Sequence, residues 1–548
     1  MLPATLDSWI ARAAASVSLM IHDHTMLVTT AAAIALLYAA SRVHQFFVPP
    51  RALRHLPRAP VAVYLRWMLE GGGFLALNDA IMRAVREDAL RKGLIASMED
   101  TPRVYLRWFV GVWIVAVSNP DDTKTVFLNH ELYEKGRINI GYARQFFGYN
   151  VAGAQTPDWK RQRKVVNPAF RRGWATSFFG DPARHLIANW DALGVVDPSQ
   201  WMQRLTLDAL SSAAFGHTMD SIHHPDNPMV TTYNRIIHNI FQQGPLLNPF
   251  YKLTPGAAQL RRDMKAFNDQ IFVMIEAKTA ERDRRRALGS GSGKVEDEDR
   301  RDLLDLMIDA QEGTTFSKED LRSNTVVFFL AGHETTATAL SFALYLLGMH
   351  PDVQQRARDE VIQVMGDLPS KPTPADQVPY PTVEQDRQFT FLNCVIKEVM
   401  RLYPSAPQLP MRITMAPSIL SDGTHVPAQT HITVDMWALH HAREYWGPSN
   451  DKFNPDRWAE TVLPDGSVPM QPGARGYTWA PFAGGQRICL GQQFSLVEQR
   501  VVLAMMLLRY EWTAVGDEDA LRGHPRTAPS GLLRPDGVRL RMVRRDLV

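Results

Sequence analysis

Hydrophobic positions recur along most of this chain with the period of a helix, and prolines and polar stretches divide the runs. The clearest run opens at Ser317-Lys318-Glu319-Asp320, a capping residue with an acidic first turn, and reaches Met349 before His350-Pro351 stops it. About 32 residues at about 1.5 Å each predict a helix of roughly 48 Å, enough to cross a whole domain. Residues 74 to 98 carry another helical pattern, and Trp159 and Arg163 share one face of a helix that Asp158 can cap. A further helix is predicted from about Gln492 onward. Alternation with β-branched residues predicts two strands around Gly111, between Arg103 and Pro120, and Asp422-Gly423 marks a hairpin. Residues 200 to 286 read as several helices rich in aromatics and methionine. The pattern as a whole is mainly helical with small sheets.

The N-terminus departs from that pattern. From Thr25 to Ser41 the chain runs 17 residues without a charge, followed after a short polar break by Phe46, Phe47 and Val48. This predicts a transmembrane anchor over about 25–48, at the lower limit of length for a span. A cleaved signal peptide and a buried helix are the alternatives; the polar lead containing Asp7, Arg12, His22 and Asp23 argues against the first. Arg42, Arg51, Arg54 and Arg58 follow the apolar run and would hold that side in the cytoplasm. Prolines 49, 50, 57 and 60 make residues 49–60 a stiff connector, with the main domain expected over 61–548. Ala287–Asp302, glycine- and serine-rich then acidic, reads as a linker inside that domain.

Composition narrows the function without choosing it. In 548 residues there are 60 basic and 57 acidic side chains, and no basic run is interleaved with aromatics, so nucleic acid is not an expected partner. Two cysteines exclude a disulfide framework. Cys394 falls among apolar helix positions and reads as a small buried side chain. Cys489 differs. It sits in PFAGGQRICLG, Pro481 to Gly491, where Gly484, Gly485 and Gly491 permit close backbone approach or positive φ. Arg487 and the start of the following helix are both expected to lower its pKa. Cys489 is therefore a candidate anionic ligand.

Phe482, Gly485, Arg487, Cys489 and Gly491 form the pattern F-x-x-G-x-R-x-C-x-G, which resembles the cysteine loop of the cytochrome P450 superfamily, the haem-thiolate monooxygenases. The resemblance covers roughly residues 50 to 548 and implies the mainly α, triangular fold of that family with small β-sheets. It implies haem b with Cys489 as axial iron ligand and Arg487 paired with a haem propionate. Trp159 and Arg163 resemble the family's W-x-x-x-R pair, a propionate partner, and Arg412 stands where many members supply another. Ala331 to Thr336, AGHETT, resembles A-G-x-[DE]-T-T. There the small pair would open a groove for dioxygen, Thr335 would orient a proton-donating water, and Glu334 would link it to solvent. Without the resemblance the same residues also describe a kinked core helix with threonine hydroxyls bonded back to the backbone. His333 occupies the variable position and is not taken as a ligand.

The remaining implications concern scaffold, partners and substrate. Glu398 and Arg401, with Arg457 in FNPDRW, resemble the family's buried support network for the haem pocket. Electrons are expected from NADPH through a separate NADPH–cytochrome P450 reductase, with cytochrome b5 as a further donor, at an endoplasmic reticulum membrane. Lys160, Arg161, Lys164, Arg171 and Arg172 offer a basic dock for such a partner. AGHETT followed by SFALYLL resembles fatty-acid hydroxylases, a wording shared with members acting on terpenoid or other secondary metabolites. The expected activity is hydroxylation of such a lipophilic small molecule. A haem-thiolate isomerase or dehydratase that needs no dioxygen, and a non-catalytic haem sensor, are the competing readings.

Overall fold

The computed structural model describes residues 29–547 except 71–72, 137–140, 172, 218, 242–249, 288–301, 314–315, 370–371, 460–475 and 529–531. The start of the predicted anchor, most of the Ala287–Asp302 linker, and Arg172 lie outside these residues.

An apolar helix, α1 (29–47), stands clear of the domain with its faces exposed. Its end is nevertheless docked. Phe46 packs edge-on against Trp108, with ring centroids 5.2 Å apart, and its carbonyl accepts from Trp108 Nε1 at 2.7 Å. Gly111 lies directly under the Phe46 ring, where a Cβ would come within 2.3 Å of it. The segment 49–60 then packs onto the same sheet, with Leu53, Leu56 and Ala59 buried.

Helices α2 (Val61–Glu70) and α3 (Phe74–Arg91) follow. α3 ends seven residues short of the predicted run, just before Gly93 takes a left-handed φ of 67°. The predicted hairpin is present as β1 (Val104–Phe109) and β2 (Val112–Val117), paired antiparallel across Val110 and Gly111. With β3 (Tyr133–Lys135), β5 (Arg412–Thr414) and β8 (His431–Val434) these form one sheet of order β1-β2-β8-β5-β3, in which only β2 and β8 run parallel. The Asp422-Gly423 turn joins β6 (Ser418–Ile419) to β7 (His425–Val426). A second sheet sets β10 (Val538–Arg544) between β4 (Val195–Val196) and β9 (Tyr510–Gly516).

The helical body comprises α4 (Pro120–Leu128), α5 (Gly141–Phe147), α6 (Thr156–Arg171), α7 (Ser177–Trp190), α8 (Pro198–Phe215), α9 (Pro228–Phe241), α10 (Pro255–Ala287), α11 (Leu303–Glu312), α12 (Lys318–Met349), α13 (Pro351–Met365), α14 (Phe391–Leu402) and α15 (Gln492–Arg509). α12 is the predicted long helix, 32 residues opened by a capping box between Ser317 and Asp320. Most of its side chains are buried, because α8, α9, α10, α14 and α15 pack around it. An element apolar on every side is a core element. α6 begins at Thr156, so Asp158 lies in its first turn rather than at the cap. Cys394 on α14, expected as a small buried side chain, is half-buried.

Below α12, Glu398 and Arg401 form a fully buried bidentate pair at 2.8 Å. Arg457 reaches the same carboxylate at 3.2 Å and Trp458 Nε1 donates to it at 3.0 Å. Arg401 spends its other donors on the carbonyls of His440, Asn450 and Lys452. A buried ion pair persists only when its remaining hydrogen-bonding groups are satisfied in this way, and the network thereby pins the segment leading to the cysteine loop.

Candidate active site

Cys489 N–H donates to Phe482 O at 3.0 Å, which folds the cysteine loop back on itself. Between these ends Ala483 (φ 59°) and Gly485 (φ 66°) take left-handed conformations. Residues with a Cβ seldom adopt that region, so Ala483 is held there by its surroundings. A Cβ at Gly485 would stand 2.5 Å from Phe127 O of α4, so the loop lies against that helix. Gly491 does not take the positive φ that was one of its two expected roles. Its φ is −84° and nothing lies within 4 Å of a Cβ built there, so neither crowding nor handedness inside the chain demands glycine.

The Cys489 side chain is accessible, yet protein surrounds it closely enough that burial pushes its thiol upward. The Gly491 N–H and the charge of Arg163 oppose that shift without reversing it. The expected lowering by Arg487 is thus absent. Arg163, not Arg487, is the cation beside the sulfur, with Nη1 donating to Ile488 O at 3.0 Å. A thiol so placed becomes a thiolate chiefly by binding a metal.

Arg487 points to the other side of the loop. Its Nη2 lies 2.8 Å from Glu134 Oε1, its Nη1 donates to Ala154 O at 2.7 Å, and its guanidinium sits 4.5 Å from the Trp159 ring centroid. Trp159 itself is buried on α6. Arg412 on β5 stands directly opposite Lys135 on β3 and donates to Tyr133 O at 2.9 Å. Lys135, Arg412 and Arg487 line one small cavity of about 40 Å³. Like charges placed opposite one another repel. Burial, then Arg412 and Arg487, push the Lys135 ammonium down to about 7, while burial and Arg487 bring Arg412 to about 10. The Glu134 carboxylate is a counter-charge shared by all three, one negative charge against three positive ones, and Arg487 Nε is a buried donor with no acceptor among the described residues. An accessible thiol beside such a surplus of buried and half-buried cations fits a haem, which would bring iron to the sulfur and two propionate carboxylates to the cations.

On α12 the residues predicted to act together diverge. Ala331 and Thr335, one turn apart, share a face; Ala331 is exposed and Thr335 half-buried although the helix runs through the core. Thr335 Oγ1 donates to Ala331 O at 3.0 Å, the back-bonded arrangement that was the competing reading. Glu334 turns aside, and its Oε1 accepts from the Tyr233 hydroxyl of α9 at 3.0 Å. Burial pushes its carboxyl up to about 7 against the opposing effects of Tyr233 and Arg534. Gly332 does not face Ala331's side: a Cβ there would meet Leu210 Cδ1 of α8 at 2.5 Å, so its smallness serves helix packing. His333 is buried with Nδ1 on Phe329 O, and burial lowers it to about 4. Thr336 Oγ1 donates to Ser495 Oγ at 2.9 Å, tying α12 to α15 just beyond the cysteine.

Lys135 and Tyr233 are members of this site that sequence reasoning missed. Lys135 ends an ordinary short strand, and Tyr233 is one aromatic among many in a helical segment; neither sits in a spaced motif. On the α6 side of the loop, Lys160, Arg163, Lys164 and Arg171 line a groove of about 380 Å³. Arg161 is not part of it, being paired with Asp320 at 2.8 Å.

Comparison with known proteins agrees with this geometry. The family model described as Cytochrome P450 matches residues 88–540. Cytochrome P450 4A10 of Mus musculus is 28% identical over 437 residues, covering 76% of this chain and 80% of its own length. Cytochrome P450 4F3 of Rattus norvegicus is 26% identical over 536 residues, with 93% and 94% covered. The bifunctional cytochrome P450/NADPH–P450 reductase 2 of Bacillus subtilis is 28% identical over 381 residues, 67% of this chain and 33% of that protein. The matched region contains the cysteine loop, the cation cluster and α12 together, and the chain belongs to the cytochrome P450 family.

Proposed function

We propose that this cytochrome P450 monooxygenase hydroxylates a lipophilic small molecule, with fatty acids the first class and terpenoids the second. The observation that carries the site assignment is the accessible Cys489 thiol beside a surplus of cations, buried at Arg412 and Arg487 and half-buried at Lys135. The preference for fatty acids rests on the AGHETT-SFALYLL wording of α12.

The haem, when bound, supplies dioxygen activation and oxygen-atom transfer. The chain's own residues hold it and manage protons. Cys489 is the iron ligand, with Gly491 N–H and Arg163 supporting negative charge on the sulfur. Lys135, Arg412 and Arg487 take the two propionates, Trp159 backs the Arg487 guanidinium, and Phe482 braces the loop through its carbonyl. Thr335 orients a proton-donating water from the accessible face of α12, and Glu334 exchanges protons toward the α9 side.

The basic groove around Lys160, Lys164 and Arg171 is the docking face for an acidic electron donor. A relative named for its own NADPH–P450 reductase supports NADPH as the source. We assign that role to a separate NADPH–cytochrome P450 reductase, with cytochrome b5 as second donor. α1 is the single-pass anchor of domain 1–48, residues 49–60 the hinge, and 61–548 the catalytic domain, facing the cytoplasm from the endoplasmic reticulum.

The reduced protein with carbon monoxide should show the thiolate-type Soret band, and Cys489→Ala should remove it; the band surviving in folded C489A would falsify the ligand assignment. Spin-state titration with dodecanoic acid against a terpenoid panel tests the substrate, and a shift confined to terpenoids overturns the fatty-acid preference.

A further inference from the structure

Tyr233 is wholly buried on α9. Its ring packs against Phe329 and His333 of α12, at 5.0 and 5.4 Å between centroids, and against Phe267 of α10 at 5.8 Å. Among the described residues its hydroxyl has one acceptor, Glu334 Oε1 at 3.0 Å. The cage leaves the ring little freedom, and a buried hydroxyl without an acceptor is costly. The carboxyl direction is therefore imposed from α9 and not by its neighbour Thr335. Two other groups bear on Glu334. Arg534 faces it from the C-terminal segment before β10, and His333, on its own helix, is neutral and committed to Phe329 O.

We infer that Tyr233 is the positioning residue of the proton path in this enzyme, its hydroxyl fixing the Glu334 carboxyl toward α9 and stabilising its ionised form. This rests on the proton role proposed for Glu334 and adds the residue that sets it. Burial drives the carboxyl toward the neutral form, whereas a donated hydrogen bond and a nearby guanidinium favour the charged one. The opposition leaves Glu334 titrating near 7, where an acid both gives and takes protons readily. Removing the hydroxyl removes a donor to the carboxylate, so the midpoint must move up.

The experiment is an infrared titration of the full-length holoprotein, in which the Glu334 carbonyl band is isolated by subtracting Glu334→Gln. Tyr233→Phe should raise the midpoint by about one pH unit. A fluorotyrosine at position 233, a stronger donor, should lower it, which keeps the inference testable if Y233F loses its thiolate carbon monoxide band. With dodecanoic acid and reductase, the pH profile of peroxide released per NADPH consumed should shift in the same direction in Y233F. The double variant should behave as E334Q. An infrared midpoint unmoved in folded Y233F, or moved the same way by both replacements, overturns the inference while leaving the role of Glu334 intact. A peroxide ratio unchanged in E334Q overturns that underlying role instead.

Discussion

Gly485 combines a φ of 66° with a carbonyl 2.5 Å from where a Cβ would stand. Both constraints act on the loop that presents Cys489, so Gly485→Ala must move either the loop or α4. A cost of about 1–3 kcal/mol is expected, read as a lower melting temperature and less haem bound per protein. Gly491→Ala should cost the fold less, since its surroundings within the chain are open. Lys135 carries a second expectation. Its folded pKa of about 7 lies below the ordinary 10.5. Between those values the unfolded chain holds a proton that the folded one has released, so the haem-free protein gains stability as pH rises from about 7. Denaturant melts of haem-free protein at pH 7 and pH 9 should show that gain, and Lys135→Met should flatten it. Of the predicted site residues, Cys489, Phe482, Arg487 and Gly491 were readable as one motif because a single loop carries them. Lys135 was not, because its meaning depends on Arg412 opposite it across a sheet.

Among the elements, α12 was the most legible, since a capping box, an unbroken apolar run and a terminating His-Pro are all local signals. What its middle does was less so. The small pair suggested a groove, yet Gly332 abuts Leu210 of α8 and Thr335 bonds back to Ala331. Gly332→Ala should destabilise the protein by about 1–3 kcal/mol through overpacking. Leu210→Ala should recover part of that loss in the double variant, because the two share one contact. Thermal unfolding of the four proteins in the cycle checks it; strict additivity would mean that the helices do not meet there.

For the whole molecule, the end of α1 is clamped to the sheet by Phe46, Trp108 and Gly111. Deleting residues 1–44 should therefore leave the thiolate carbon monoxide spectrum and the melting temperature of the detergent-solubilised protein unchanged. Deleting 1–48 removes Phe46 and should lower the melting temperature, as should Trp108→Ala in the longer form. Equal stability of the two truncations would show that the clamp contributes nothing. The sequence alone determined the N-terminal apolar helix, the long central helix, the hairpins and the cysteine loop with its family, because caps, periodicity, turns and a ten-residue motif are written in neighbouring positions. The tertiary structure decided which charges gather around that loop, which way Glu334 faces, and which cation lies beside Cys489. Those outcomes join segments such as Lys135, Arg412 and Arg487, or Tyr233 and Glu334. Strand register and helix crossings set such distant pairings, and no local stretch of sequence encodes them.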